Sequence, residues 1–346
     1  MKYSILGNSD LSISKIGLGT MTFGEQNSEA EGHQQINYAL SKGVNFIDTA
    51  EMYSVPARPE TQGRTEEIIG SWIKKHKNLR DDIVLATKAT GPNEYFDYIR
   101  SGPSYTAKQL KEALHGSLRR LHTGYIDLYQ LHWPERKTNF FGKLGYTHES
   151  DDVGNELHEV LQTLSSFVKQ GKVLHIGLSN ETPWGLMKFL ELAKTYNLEK
   201  VVSIQNPYNF LNRTFEVGLA EISMREKVGL LAYSPLAFGM LTGKYDNGKT
   251  PENSRLTLFP KMKRYTNEYI NEAAQAYNNL ASEFNLTPAQ FSLAFVNSRE
   301  FVASNIIGAT TMEQLKENIE SIDITLPEEA LKKIEELHDR FTYPAP

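Results

Sequence analysis

Val44-Asn45-Phe46-Ile47-Asp48-Thr49-Ala50-Glu51-Met52-Tyr53 decides how the rest of the chain is read. Residues 44–47 form a short apolar run of the kind that makes a buried strand. A carboxylate, Asp48, closes the run, and a phenol, Tyr53, follows five residues later. Two further runs end in the same way. Ile83-Val84-Leu85-Ala86-Thr87 ends on Lys88, and Ile126-Asp127-Leu128-Tyr129-Gln130-Leu131 ends on His132. If the three are parallel neighbours, carboxylate, phenol, amine and imidazole meet on one rim.

Toward the N terminus, Gly7-Asn8-Ser9-Asp10 joins residues 3–6 to 11–14 as a β-hairpin. Lys15-Ile16-Gly17-Leu18-Gly19-Thr20 reads as the first core strand, and a helix over 29–41 stops at Gly43. Toward the C terminus the alternation continues. Helices are expected over 65–75, 106–121, 156–170, 183–196, 214–225, 267–283, 288–298, from 311, and over 327–340. Thr106 caps the second of these, with Leu110, Ala113, Leu114, Leu118 and Leu121 at helical spacing. Strands fall at 173–178, 201–204, 228–232 and 303–307, which brings the core strands to eight.

A parallel return needs a crossover connection, so strands alternating with helices imply parallel pairing. Eight such units suit a closed (β/α)8 TIM barrel better than an open doubly wound sheet. Gly17-Leu18-Gly19-Thr20 lacks the third glycine and the helix start of a Rossmann fingerprint. No linker or compositional break interrupts the pattern, so one barrel domain over 1–346 is expected. Its C-terminal face, where barrel strands present catalytic groups, is enlarged by residues 133–155, residues 236–266 and the tail after Phe341.

Bulk properties narrow the function. Of 346 residues, 37 are basic and 42 acidic, and the net charge of −5 argues against nucleic acid or an anionic membrane as partner. The absence of cysteine excludes disulfides and thiolate chemistry. Met1-Lys2-Tyr3-Ser4-Ile5 lacks a signal-peptide profile, and no run approaches the roughly 20 apolar residues of a membrane span. A cytoplasmic protein is expected. The His115/His122 and His148/His158 pairs lack acidic partners at ligand spacing, so no metal is expected. Lys74-Lys75-His76-Lys77 and Lys261-Met262-Lys263-Arg264 read as solvated charged faces.

The rim residues suit one task. A free phenol titrates near pH ~10 and donates a proton reluctantly. An ammonium about 4 Å away favours the phenolate by roughly 4 kcal/mol at most. Asp48 would keep Lys88 charged and aimed, and His132 could hydrogen-bond a substrate oxygen. Together they give a proton to a carbonyl oxygen while another group reduces the carbon, help worth on the order of 10²–10⁴-fold. Singly, Asp48 reads as a turn residue, Lys88 as a surface lysine, His132 as a structural histidine and Tyr53 as packing. Their joint placement after consecutive strands favours catalysis.

A hydride donor is then required. Ser179-Asn180 and Gln205 offer amide and hydroxyl groups for a nicotinamide carboxamide, and Tyr233 a ring face for stacking. Residues 234–245, SPLAFGMLTGKY, resemble an extended strap over a pyrophosphate. Gly308-Ala309-Thr310-Thr311 opens a helix whose amino end suits an anion. Gln314, Glu317 and Asn318 lie farther along it, near a ribose phosphate and an adenine. Trp133 is expected to line the substrate pocket, whereas Phe140, Phe141, Tyr208 and Phe259 read as loop anchors.

The pattern D-x-A-x-x-Y at 48–53, Lys88, His132, Ser179-Asn180, Tyr233-Ser234-Pro235-Leu236 and IIGATTMEQLKENI at 306–319 resembles the aldo-keto reductase superfamily. The likeness covers essentially the whole chain, with potassium channel β subunits as more distant relatives. It implies Tyr53 as proton donor, Lys88 and Asp48 as its tuners, His132 as substrate orienter, and NADPH lying extended across the rim. Around the nicotinamide it implies Thr20, Ser179, Asn180, Gln205 and Tyr233. Along the phosphates it implies Ser234, Pro235, Leu236, Gly239, Leu241, Gly243, Lys244 and Arg255. At the adenosine end stand Gly308, Thr310, Gln314, Glu317 and Asn318. Many members carry an arginine where Gln314 stands, so Thr310, Lys244 and Arg255 must serve the 2′-phosphate here. The implied partner is a small-molecule carbonyl compound, acted on by a monomer or weak homo-oligomer. Two rivals are an NADPH-binding regulatory module with little turnover, and a lyase or isomerase using Lys88 as a Schiff base. The latter fits poorly with an amine that Asp48 keeps protonated.

Overall fold

The computed structural model describes residues 1–149, 155–260, 262 and 264–345. Strands β1 (Tyr3–Ile5) and β2 (Ser12–Ser14) form the hairpin, antiparallel with Tyr3 opposite Ser14. Then follow β3 (Ile16–Gly19), α1 (Glu29–Ser41), β4 (Phe46–Asp48), α2 (Arg64–Lys75), β5 (Val84–Ala89) and α3 (Ala107–Arg120). Next are β6 (Ile126–Leu131), α4 (Leu157–Lys169), β7 (Val173–Ser179), α5 (Pro183–Tyr196), β8 (Ser203–Pro207), α6 (Leu219–Glu226) and β9 (Gly229–Tyr233). The chain closes with α7 (Arg255–Leu258), α8 (Glu268–Glu283), α9 (Pro288–Asn297), β10 (Val302–Ile307), α10 (Met312–Glu320) and α11 (Glu328–Arg340).

Strands β3 to β10 pair in parallel as a closed barrel, in which β10 returns to β3. The (β/α)8 TIM barrel with an N-terminal hairpin is therefore the observed fold. Register brings polar residues to one level at the C-terminal end. Gly19 faces Asp48, Lys88 faces Gln130, and Ser179 faces Gln205 across adjacent strands.

Helices pack their apolar stripes on the barrel's outside. On α2, Ile68, Ile69, Trp72 and Ile73 recur at helical spacing and are buried together, while Lys74 and Lys75 face solvent. A separate cluster fills the N-terminal end of the barrel. There Leu6 and Ile13 of the hairpin region meet Phe46, Val84, Leu128, Val202 and Leu231. The hairpin turn comes so close that a Cβ on Gly7 (φ +57°) would sit 2.2 Å from the Val202 carbonyl oxygen.

Three details differ from the sequence reading. The helix expected over 214–225 is a 3-10 turn (Thr214–Val217) and then α6, separated by Gly218, a poor helix former. Strands β5 and β8 continue past Lys88 and Gln205, on which they are expected to end, to Ala89 and Pro207, whereas β4 ends on Asp48 as expected. The expected segment 236–266 contains the short α7, and its Lys261 and Lys263 lie outside the described residues, as do 150–154 of the segment 133–155 and Pro346 of the tail. Among the described residues, no helix is long and apolar enough to cross a membrane.

Candidate active site

At the C-terminal end of the barrel, inward-facing residues of neighbouring strands form a polar layer above the apolar core. Lys88 donates from Nζ to Asp48 Oδ2 at 2.7 Å and to the Thr49 carbonyl at 2.8 Å. Lys88 is wholly buried and Asp48 nearly so. The other carboxylate oxygen, Oδ1, accepts from Gln205 Nε2 at 2.8 Å, and Gln205 Nε2 also reaches Gln130 Oε1 at 3.3 Å. Asp48 is thus held on both oxygens. Burial pushes the Lys88 ammonium below its ordinary value, and Asp48 pulls it back up.

Tyr53 follows β4 in a turn in which its N–H donates to the Ala50 carbonyl. Its ring lies 5.1 Å from Lys88 Nζ and meets the His132 ring edge-on at 5.8 Å. His132 stands one residue past β6, its N–H bonded to the Ala89 carbonyl of β5, its ring 4.9 Å from that of Trp133. Asp48, Tyr53, Lys88 and His132 therefore meet at one place. Burial, and then the Lys88 charge, hold His132 well below the ordinary histidine range. Its Nδ1 has no hydrogen-bond partner within the protein among the described residues.

The Tyr53 hydroxyl is pushed well above the ordinary phenol value, by burial first and then by Asp48 and Tyr233, with Arg255 opposing. That direction is opposite to the lowering expected from Lys88. Removing a phenolate from water outweighs the attraction of an ammonium already paired with a carboxylate. Tyr53 is consequently a neutral phenol, the form that has a proton to give.

Beside this cluster opens a cavity of about 1120 Å³. Asp48, Tyr53, His132 and Trp133 line one part, and Gly308, Thr310, Gln314, Glu317 and Asn318 another. Between them lie Thr20, Ser179, Asn180, Gln205, Tyr233, Ser234, Pro235, Leu236, Gly239, Lys244 and Arg255. Of the residues expected at a cofactor, Leu241 and Gly243 do not line it. Leu241 is buried in the core and Gly243 turns the chain with φ +76°. The described residues of the tail, 342–345, also add nothing to the walls. They pack down instead, Ala345 N–H donating to the Leu211 carbonyl.

The polar groups of the walls bond to one another. Tyr233 Oη donates to Asn180 Oδ1 at 2.6 Å, and Asn180 Nδ2 donates to the His132 carbonyl at 2.9 Å. The Thr310 N–H donates to Gln314 Oε1, and the Thr287 hydroxyl to Glu317 Oε1. Two cations lack such company. Lys244 Nζ lies over the Tyr245 ring at 5.3 Å and the Arg255 guanidinium over Phe238 at 5.1 Å, and neither has a carboxylate partner among the described residues. Burial lowers both, and Arg255 lowers Lys244 further.

Sequence reasoning missed several wall residues. Arg264, placed with a solvated charge run, is partly buried and lines the cavity. Phe141, placed as a loop anchor, lines it too, stacked edge-on with Trp133 at 5.7 Å. Thr287, Pro288 and Ala289 at the start of α9 also contribute. Their available signal was the Thr-Pro helix start, which marks a second amino end near the one at Thr311. Glu51 was passed over as well. It pairs with Arg100 through Nε (2.8 Å) and Nη2 (3.0 Å) and accepts from the Thr90 N–H, pinning residues 93–106 beside the cavity.

The family model described as "Aldo/keto reductase family" matches residues 15–339. "Protein tas" of Escherichia coli (strain K12) is 51% identical over 347 residues, spanning all of both chains. "Uncharacterized oxidoreductase YrpG" of Bacillus subtilis (strain 168) is 31% identical over 97% of this chain and 96% of its own. "Aldo-keto reductase" of Babesia bovis is 39% identical over 68% of this chain and 88% of its own.

Proposed function

Because the chain belongs to the aldo/keto reductase family, we propose that it reduces aldehydes or ketones to alcohols with NADPH, Tyr53 giving the proton. The observation that carries this reading is the buried Lys88–Asp48 pair beneath the Tyr53 and His132 rings. Family membership itself makes the chain an oxidoreductase of carbonyl chemistry.

The residues present fit a dinucleotide phosphate. Lys244 and Arg255 are cations on the cavity wall without a carboxylate partner among the described residues, and residues 308–311, which lead into the amino end of α10, line the same cavity. Many family members carry an arginine where Gln314 stands, so Thr310, Lys244 and Arg255 would hold the 2′-phosphate here. Ser179, Asn180 and Gln205 would hold the carboxamide, and Tyr233 the ring. NADPH, when bound, supplies the hydride.

What the protein's own residues do follows from their charges. Neutral Tyr53 hydrogen-bonds the carbonyl oxygen and passes its proton there as negative charge builds on it. The phenolate left behind faces the Lys88 ammonium, which Asp48 and the Thr49 carbonyl keep oriented. Solvent then returns the proton to Tyr53. His132, uncharged, orients the same oxygen as a neutral donor, so it does not compete with Tyr53 as an acid.

The test mixes the protein with NADPH and a panel of aromatic aldehydes and quinones, following loss of the reduced cofactor's absorbance. Tyr53→Phe should lower turnover by about 10²–10⁴-fold and leave NADPH affinity nearly unchanged. Retained turnover in that variant would remove Tyr53 from its role. Tight NADPH binding without turnover of any carbonyl compound would favour a regulatory module instead.

A further inference from the structure

We propose that Arg264 binds a negatively charged group on the substrate, so that the preferred carbonyl compounds carry a carboxylate or similar anion away from the reacting carbon. The inference rests on the reductase reading and names the substrate class of that site.

Five other sheltered arginines show what Arg264 lacks. Arg80, Arg100, Arg120, Arg136 and Arg213 each face a carboxylate: Asp127, Glu51, Glu66, Glu181 and Glu216 respectively. A guanidinium drawn partly out of water without a counter-ion is costly, which is why such groups are paired. Arg264 has no carboxylate partner among the described residues. Its Nη1 donates to the neutral Tyr233 hydroxyl at 3.3 Å, the hydroxyl of Tyr265 is a second neutral neighbour, and the rings of Phe141, Tyr233 and Phe238 lie at 5.4–6.0 Å. Ring faces attract a cation but leave most of its five N–H donors unused. The acids on the cavity wall do not fill the gap. Asp48 is taken by Lys88 and Gln205, Glu317 accepts from Thr287, and Glu252 makes no ion pair among the described residues.

Its position assigns the missing anion to the substrate. Arg255, the other arginine among the described residues of the cavity wall, acts electrostatically on Lys244 of the cofactor strap. Arg264 is tied to the carbonyl-orienting end by two separate routes. One is a stack: its guanidinium on Phe141, Phe141 against Trp133, and Trp133 against His132. The other is a hydrogen-bonded chain from Arg264 through Tyr233 Oη and Asn180 to the His132 carbonyl. A planar fork so placed suits a carboxylate held by two parallel bonds.

The experiment compares 4-formylbenzoate with its neutral methyl ester as substrates of the NADPH-loaded protein. It also measures binding of terephthalate, which cannot react, by calorimetry. The wild type should favour the charged aldehyde by about tenfold or more in kcat/KM. Arg264→Gln should bring that ratio near one, chiefly through KM, and weaken terephthalate by about tenfold. Arg264→Lys should recover part of both, and NADPH affinity should move far less than terephthalate affinity in either variant. A ratio near one in the wild type, or one unchanged by Arg264→Gln, overturns the proposal. So does a loss of NADPH affinity equal to the loss for terephthalate, which would assign the guanidinium to the cofactor. Turnover of both aldehydes without preference leaves the reductase standing and removes the anion site. Terephthalate binding that depends on Arg264, with no turnover of any carbonyl compound, does the reverse.

Discussion

His132 has little reason to take up a proton: it is buried, and the Lys88 charge lies nearby. Its pKa in the folded protein is lowered from 6.5, so the unfolded chain binds more protons below that pH. Unfolding then becomes easier as pH falls from about 6.5 toward the folded value, by at most about 1.4 kcal/mol per pH unit. Urea melts at neutral and mildly acidic pH should show this slope, and His132→Gln should flatten it. Lys88→Met leaves the Asp48 carboxylate buried without its cation. It should cost about 3–5 kcal/mol of stability by urea unfolding, and NADPH oxidation with it. A normal unfolding midpoint in that variant would show that Asp48 does not depend on the pair. The four central residues were legible because each ends or follows an apolar run. Arg264 was not, because a charge run in a long loop does not say which member turns inward.

At the scale of elements, polarity misled where function begins. A reading by apolar runs ends each strand on its closing polar residue, yet β5 and β8 keep their ladders past Lys88 and Gln205, to Ala89 and Pro207. Asp48, Lys88 and Gln205, which close those runs, stand at the C-terminal end of the barrel. Helices were read more closely, since caps and periodicity agree: Thr106, Thr287 and Thr311 each accept from the N–H three residues on. The βα segment 93–106 had no such signal, and its shape comes from Glu51 gripping Arg100. Glu51→Gln should loosen it. Limited proteolysis should cut within 93–106 faster than in the wild type, and KM for carbonyl substrates should rise more than kcat falls, because Asn93 and Phe96 line the cavity. Cleavage at the wild-type rate would show that this ion pair does not hold the segment.

For the molecule as a whole, counting strand–helix units was enough to predict closure, because eight parallel strands with crossovers leave few other arrangements. The sequence did not show how the N-terminal end of the barrel is sealed. Leu6 and Ile13 do this by joining the interior cluster around Phe46 and Leu128. Leu6→Ala should cost about 2–5 kcal/mol, read as a lowered urea midpoint with little change in NADPH affinity, since the cavity lies at the opposite end. An unchanged midpoint would mean that the hairpin merely rests on the barrel.

The seam between β10 and β3 joins Asn305 to Ile16. A ribosome making this chain must therefore deliver nearly all of it before the first core strand meets its second neighbour, a delay on the order of tens of seconds at ordinary elongation rates. During that interval β3 has one open edge, and nascent chains halted short of residue 302 should be the ones that chaperones hold and proteases degrade.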